Sequence, residues 1–283
     1  MRNTLKATTL ESKLPLLAVE HGCIISKDAD ITLAFEVTLP ELFTVTSAEY
    51  EAMHAAWCKA IKVLPHFSVV HKQDWFMAET YKPELQKEDL SFLDRSFERH
   101  FNERPYLAHQ CYLFLTKTTK ERMRQQSNFS TLCRGRITPK ELNHEVIVKF
   151  MESVEQFERI INDTGYLKLR RLSDDEIVGT ESTSGIIERY LSLSMGNVTC
   201  LEDIDLSAKE MRIGDKMLCL HTLSDTDDLP GKVSTDNRYE RLSTDRSDCR
   251  LSFASPVGLL LPCNHIYNQY ILIDDHDENL ARF

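Results

Sequence analysis

The chain has 283 residues, of which 42% are hydrophobic and 28% are charged, a composition typical of a globular protein with a substantial core. Its formal net charge of -10 argues against non-specific nucleic-acid binding over the whole surface, because phosphate contacts need a basic footprint. Eight dispersed cysteines without a C-x-x-C pair favour free thiols in a reducing compartment. The apolar stretches at 14–19 and 257–263 are too short for a signal peptide or a bilayer span, so we expect a cytoplasmic protein.

A β-hairpin is the first predicted structure. Residues 21–26 form one strand, and Lys27-Asp-Ala-Asp30 supplies a polar turn. Residues 31–39 then alternate between apolar and polar side chains, which predicts a strand that is buried on one face. The residues of that face are Ile31, Leu33, Phe35, Val37 and Leu39.

The next segment predicts a helix and a second strand pair. Thr46 and Glu49 are spaced as a capping box, which predicts a helix over 47–64 that ends before Pro65. The apolar residues of this helix share one face. They are Tyr50, Met53, Trp57, Ala60, Ile61 and Leu64. Strands are expected at 67–72 and at 110–116. Trp75 and Phe76 either continue the first of these strands or pack at its end.

A second helix is predicted over about 89–102, between these two strands, with an apolar face formed by Leu90, Leu93, Phe97 and Phe101. The element order favours an α+β fold, with mixed, largely antiparallel sheets and helices packed on one face. We expect two lobes, at 1–118 and 141–283.

The segment between the predicted lobes is strongly basic. We interpret 119–140 as a linker or an exposed hairpin, and we weigh a solvated loop against a surface that contacts phosphate or a protein partner. The candidate contact residues are Lys117, Lys120, Arg122, Arg124, Arg134, Arg136 and Lys140, and Glu121 is the single acid among them.

The second half of the chain repeats the same kinds of element. A long helix is predicted over 141–163, with an apolar face and Gly165 beyond its end. That face consists of Ile147, Phe150, Val154, Phe157 and Ile161. Ser173 and Glu176 form a second capping-box pattern. Two strands meet at Gly214-Asp215, and 266–273 is a strong strand candidate.

No pattern for catalysis, metal binding or cofactor binding emerges. The G-x-x-x-x-G-K-[ST] sequence of a phosphate-binding loop is absent, and the glycines of Gly179–Gly185 lack the required lysine. The acidic group Asp225, Asp227 and Asp228 lacks the offsets of a calcium loop, and Cys263 with His265 lacks a second ligand pair. We therefore assign no catalytic, cofactor or metal residue, and we expect no enzyme activity from this chain.

Two blocks of the sequence carry a resemblance to a known family. The first block comprises Gly22–Asp30, His54–Trp57 and Ser91–Phe101, and the second comprises Met211–Lys216, Leu229–Gly231 and Asn264–Ile271. Together they resemble the N-terminal region of TraG-type conjugative-transposon ATPases, which are relatives of the VirB-type ATPases of type IV secretion. The similarity extends over nearly the whole chain, and no catalytic motif contributes to it.

The resemblance implies a non-catalytic docking or assembly domain ahead of a RecA-like motor that holds ATP and Mg²⁺. Because the chain lacks Walker motifs, the resemblance leads us to expect that it is the front portion of a longer protein. The implied partners are that motor domain and other conjugation components at the inner membrane, where the protein would be peripheral through those partners. Self-association and DNA contact stay open.

Two other functions remain as alternatives. One is a nucleic-acid contact module that uses residues 117–140 together with Arg170 and Arg171. The other is a stand-alone enzyme with a site that the sequence does not reveal. A deep pocket holding several carboxylates would favour the enzyme.

Overall fold

The structure is a computed structural model that describes residues 8–41, 45–81, 91–102, 104–118, 144–207, 210–222, 225, 227, 237–238, 243–244, 250–251, 261–275 and 280. The described helices are α1 (Leu10–Lys13), α2 (Ser47–Ile61), α3 (Phe92–Asn102), α4 (His144–Asn162), α5 (Asp174–Val178) and α6 (Ile186–Ser192). The described strands are β1 (Leu16–Glu20), β2 (Cys23–Ser26), β3 (Ile31–Thr38), β4 (Ser68–Glu79), β5 (Tyr106–Lys117), β6 (Lys168–Arg171), β7 (Ile204–Leu206), β8 (Met211–Ile213), β9 (Lys216–Leu218), β10 (Asn237–Arg238), β11 (Arg250–Leu251) and β12 (His265–Ile273).

The fold is α+β with antiparallel sheets, as the sequence predicts. Among the described strands, the largest sheet has the order β1-β2-β3-β5-β4-β12, and β6 also pairs with β3. The predicted hairpin forms between β2 and β3, which pair antiparallel with Cys23 opposite Leu33. Two smaller sheets join β10 to β11 and β7 to β8 and β9. No helix in the described part of the chain has the length and apolar character that a membrane crossing requires.

The chain divides into two compact units that interleave along the sequence. The first unit comprises 1–72, 112–178 and 269–283, and the second comprises 73–111 and 179–268. The lobes predicted at 1–118 and 141–283 follow the chain sequentially, whereas each of these units combines separate segments. The whole of the predicted 119–140 linker lies outside the described residues, so its form stays a prediction.

The core of the first unit is built from the faces that the sequence predicts for β3, α2 and α4. Leu33 and Phe35 on β3 pack with apolar residues of both helices, and Val70, Leu113 and Leu115 complete the centre. The buried residues of α4 are Phe150, Val154, Phe157 and Ile161. Each fully buried large apolar side chain contributes about 1.5–3 kcal/mol, so this shared core supplies the main stabilisation of the unit.

The predicted helix starts are confirmed by their hydrogen bonds. At α2, the Thr46 side chain accepts from the Glu49 amide, and the Glu49 carboxylate accepts from the Thr46 amide at 2.8 Å. At α5, the Glu176 carboxylate accepts from the Ser173 amide at 2.9 Å, and this bond is the largest cause lowering the pKa of Glu176. Both capping boxes satisfy amides that a helix leaves without internal partners.

One predicted strand is longer than expected, and another strand has no counterpart among the predicted elements. The strand expected at 67–72 continues through Trp75 and Phe76, because β4 runs from Ser68 to Glu79. The apolar stretch after Pro15 forms β1, which pairs with β2 and was not predicted as a strand. In the second unit, Trp75 is fully buried, and its Nε1 donates to Gln73 Oε1 at 3.1 Å.

Candidate docking surface

Lys117 is the predicted basic contact residue that the structure describes. It is only 6% exposed, its ammonium donates to the main-chain carbonyl of His66, and it lies 5.5 Å from the ring centroid of Phe67. The other six residues, Lys120, Arg122, Arg124, Arg134, Arg136 and Lys140, lie outside the described residues. A contact role for that basic segment therefore stays a prediction, and Lys117 itself has a packing role.

Arg170 on β6 forms ion pairs within the first unit. Its guanidinium donates to Glu36 Oε2 at 2.7 Å and to Glu176 Oε1 at 2.7 Å, and these hydrogen bonds raise the pKa of Arg170. The bond to Glu36 spans 134 positions in the sequence and accompanies the pairing of β3 with β6. These contacts assign Arg170 a structural role.

Arg171 holds the turn before β2. Its Nη2 donates to the carbonyl of His21 at 2.9 Å, and the Gly22 amide donates to Asp174 Oδ1 at 2.5 Å. Gly22 has φ +69°, and an added Cβ there would meet Arg171 Nε at 3.1 Å. The close approach of the guanidinium explains why a glycine suits this position.

The segments considered above as metal or phosphate sites form local turns in the structure. Gly179 and Ser184 close a bridge around a Ser/Thr-rich loop, and His265 Nδ1 bonds the carbonyl of Cys263 at 2.7 Å. The amide of Asp227 donates to Asp225 Oδ1 at 3.0 Å, and Asp228 lies outside the described residues. No group of three metal-ligating side chains occurs among the residues searched, which are those that the structure describes.

Helix α3 in the second unit is the candidate functional element. Its start is fixed by a reciprocal cap, in which Ser91 Oγ donates to Asp94 Oδ2 at 2.7 Å and the Asp94 amide donates to Ser91 Oγ at 3.2 Å. The sequence predicts a helix over 89–102, and the described helix spans 92–102, with 82–90 outside the described residues. Leu90 of the predicted face lies outside the described residues, while Leu93, Phe97 and Phe101 lie on the helix.

The apolar face of α3 is exposed. Leu93 is 76% exposed, Phe97 60% and Phe101 42%, and Phe92 at the first turn is 82% exposed. None of the described side chains of α3 is buried. Because a surface helix normally buries such a stripe, the uncovered face of α3 is a candidate interaction site.

An apolar pocket adjoins the C-terminal end of this face. Its volume is about 430 Å³, and its lining residues are Tyr81, His100, Phe101, Arg104, Pro105 and Tyr106. The Tyr81 ring meets the Phe101 ring edge-on, with ring centroids 6.2 Å apart. The ring centroids of Phe97 and Phe101 are 4.5 Å apart. Phe101 therefore belongs to both the stripe and the pocket. We call Leu93, Phe97, Phe101 and the pocket lining the α3 surface.

Charged groups border the α3 surface with both signs. The carboxylate of Asp94 is used in the helix cap, and Glu98 accepts from the Tyr81 hydroxyl at 3.0 Å. The Tyr106 hydroxyl donates to Glu79 Oε2 at 3.3 Å. Among the described contacts, Arg104 has a main-chain hydrogen bond to Phe101 and no partner for its guanidinium. A cation without a partner among the described contacts thus lies at the rim of an apolar pocket.

Sequence reasoning found the stripe of α3 but missed the surface. The 3-and-4 spacing of its apolar residues identifies the face, yet spacing does not say whether another element covers it. Tyr81 and Tyr106 lie outside the helix, and Tyr106 begins β5. Their part in the pocket has no local sequence signal.

One family of known proteins matches the first part of the chain. The family DUF3875 matches residues 3–55, and its description reads "Domain of unknown function, B. Theta Gene description". This segment includes β1, β2, β3 and the first half of α2, and it ends before α3. No curated protein matches the chain.

Proposed function

We propose that this chain is a non-catalytic docking or assembly domain of a TraG-type conjugative-transfer ATPase. The observation that supports docking best is the α3 surface, because an exposed aromatic stripe beside an apolar pocket costs solubility and is typical of a contact site. The conjugation context comes from the family resemblance. The DUF3875 match at 3–55 overlaps the opening block of that resemblance and is compatible with it.

In this role the chain positions other components and leaves ATP hydrolysis to a separate motor domain. That domain would hold ATP and Mg²⁺, since residues 1–283 contain no Walker A sequence. The partners are the motor domain and conjugation components at the inner membrane, with the chain on the cytoplasmic side. A second copy of the chain is a further candidate partner.

The non-catalytic part of the proposal is tested with the purified chain. We expect it neither to bind a fluorescent ATP analogue nor to hydrolyse ATP in the presence of Mg²⁺. Nucleotide turnover that persists through successive purification steps would overturn this part of the proposal.

The docking part is tested in a donor strain that carries the native locus. Leu93→Glu places a charge on the α3 surface, and we expect it to lower the frequency of DNA transfer. Leu220→Glu is a matched control, because Leu220 is 77% exposed and Leu93 76%. Equal transfer by the two variants at equal protein levels would remove α3 from the proposed role.

The nucleic-acid alternative has no support from the described residues. Lys117 is buried, and Arg170 and Arg171 already bond groups within the protein. Binding of single-stranded DNA at physiological salt, lost when Arg122, Arg124, Arg134 and Arg136 are neutralised together, would favour this alternative.

A further inference from the structure

The apolar residues of the α3 surface are arranged as in a protein-binding site, since they form one continuous face. Leu93, Phe97 and Phe101 are spaced four residues apart, so they line one side of the helix for almost its full length. Removing large apolar side chains from water favours binding, so three such residues can supply the central part of an interface.

The pocket provides a place for an anchoring side chain. Its volume of about 430 Å³ is large enough for a leucine or an aromatic ring, and Tyr81, Phe101 and Tyr106 supply flat apolar walls. Bound partners commonly insert one apolar side chain into such a pocket while neighbouring contacts exclude water. The occupant is therefore expected to carry a large apolar residue.

The charge at the rim indicates what lies beside that residue. Arg104 lines the pocket, and its guanidinium has no partner among the described contacts. Among the described acids nearby, Glu98 accepts from the Tyr81 hydroxyl and Glu79 accepts from the Tyr106 hydroxyl, and neither forms an ion pair with Arg104. A carboxylate of the occupant would give Arg104 the bidentate partner that its planar guanidinium favours.

We infer that the α3 surface docks an amphipathic segment of a partner protein, with a leucine or aromatic anchor in the pocket and one adjacent Asp or Glu on Arg104. This inference rests on the docking role proposed above, but it does not depend on the conjugation context.

An anionic membrane is a poorer match for the same surface. Helices that lie on such membranes combine an apolar face with a clear excess of Lys and Arg. In α3, Asp94 and Glu98 offset Arg95 and Arg99, and the whole chain has a formal net charge of -10. The favourable contact that remains is local, at Arg104, which suits a single carboxylate on a protein segment.

The test is a selection of short random peptides on the immobilised full chain, with counter-selection on Leu93→Glu. We expect the enriched peptides to carry Asp or Glu beside Leu, Phe or Trp. One enriched peptide is then labelled and titrated against the wild type and three variants. Leu93→Glu and Arg104→Glu should each weaken its binding about tenfold, while Leu220→Glu should leave it unchanged.

A charge exchange makes the test specific for Arg104. Replacing the acidic residue of the peptide by lysine should restore much of the affinity for Arg104→Glu, although the wild type then binds weakly. Circular dichroism of each variant checks that the fold is retained, which the high exposure of Leu93 leads us to expect.

Several results would overturn the inference. They are the absence of any peptide that depends on Leu93, enrichment of basic peptides, and indifference of the selected peptide to Arg104→Glu. Binding to phosphatidylglycerol vesicles that Leu93→Glu abolishes would assign the surface to a membrane instead. If these results occur while Leu93→Glu still impairs DNA transfer, docking stands and only the partner chemistry fails.

Discussion

The indole of Trp57 on α2 meets the ring of Phe157 on α4 edge-on, with ring centroids 5.7 Å apart and an interplanar angle of 75°. Phe157 is fully buried, while Trp57 is half-buried. Edge-on aromatic pairs add about 0.5–1.5 kcal/mol beyond the area that they bury. This pair therefore joins the two long helices of the first unit.

Replacing Trp57 by alanine should lower the free energy of unfolding by about 2–3 kcal/mol, less than the loss of a fully buried tryptophan. Trp57→Phe should cost less, because it retains a ring against Phe157. Glu51→Ala, on the exposed side of the same helix, serves as the control and should change stability by less than about 0.5 kcal/mol. Urea denaturation measures all three, and a neutral Trp57→Ala would contradict the packing role of the pair.

Asp30 should make the stability of the protein depend on pH. Its side chain is buried, and this burial raises the pKa from 3.8 to about 6, despite a hydrogen bond from the Ser26 hydroxyl that lowers it. At a pH between these two values, the folded state holds a proton that the unfolded state has lost. Stability should therefore fall as the pH rises through this interval, by up to about 3 kcal/mol in total.

Asp30→Asn should remove this dependence, because an amide does not ionise. The measurement is the free energy of unfolding from urea titrations at a series of pH values from below 4 to above 6, for wild type and variant. Parallel curves for the two proteins would show that Asp30 does not titrate in that interval.

Gly179 should tolerate a side chain much less well than Gly165. Its φ is +104°, and an added Cβ would lie 2.6 Å from Glu188 Oε2 and 2.7 Å from the Gly185 amide nitrogen. Gly165 has φ +73°, and a Cβ added there would have nothing within 4 Å. We expect Gly165→Ala to cost about 1 kcal/mol through backbone strain alone, and Gly179→Ala to cost about 2–3 kcal/mol. Equal losses in thermal or urea unfolding would contradict the crowding around Gly179.

The exposure of α3 has a consequence for stability as well as for binding. Leu93→Ala should change the free energy of unfolding by less than about 0.5 kcal/mol, because the side chain is already in water. Leu113→Ala removes the same atoms from a fully buried site and should cost about 2–5 kcal/mol. A large loss from Leu93→Ala would mean that another part of the chain covers α3 in solution.

Several elements were predictable because their signals are local. The Thr46–Glu49 and Ser173–Glu176 spacings place two helix starts correctly, and the alternation along 31–39 identifies the buried face of β3. In each case, the residues that carry the signal lie within a few positions of one another. Hydrogen bonds and side-chain periodicity over such distances depend little on the rest of the chain.

The candidate site was only partly predictable. The apolar stripe of α3 is visible in the sequence, whereas the pocket also needs Tyr81 and Tyr106 from outside the helix. The basic residues were predicted as contact residues because an excess of charge is visible in the sequence. In the structure, Arg170 pairs with Glu36, which is far away in the sequence but lies on the strand that pairs with β6.

The sequence by itself determined the main helices and strands of this protein and the apolar faces of β3, α2 and α4, because local hydrogen bonding and side-chain period specify both. Only the tertiary structure decided that β6 pairs with β3, that the two units interleave, and that the stripe of α3 is exposed while that of α4 is buried. These outcomes depend on which apolar surfaces cover one another. That competition involves residues far apart in the chain, and no local pattern encodes its result.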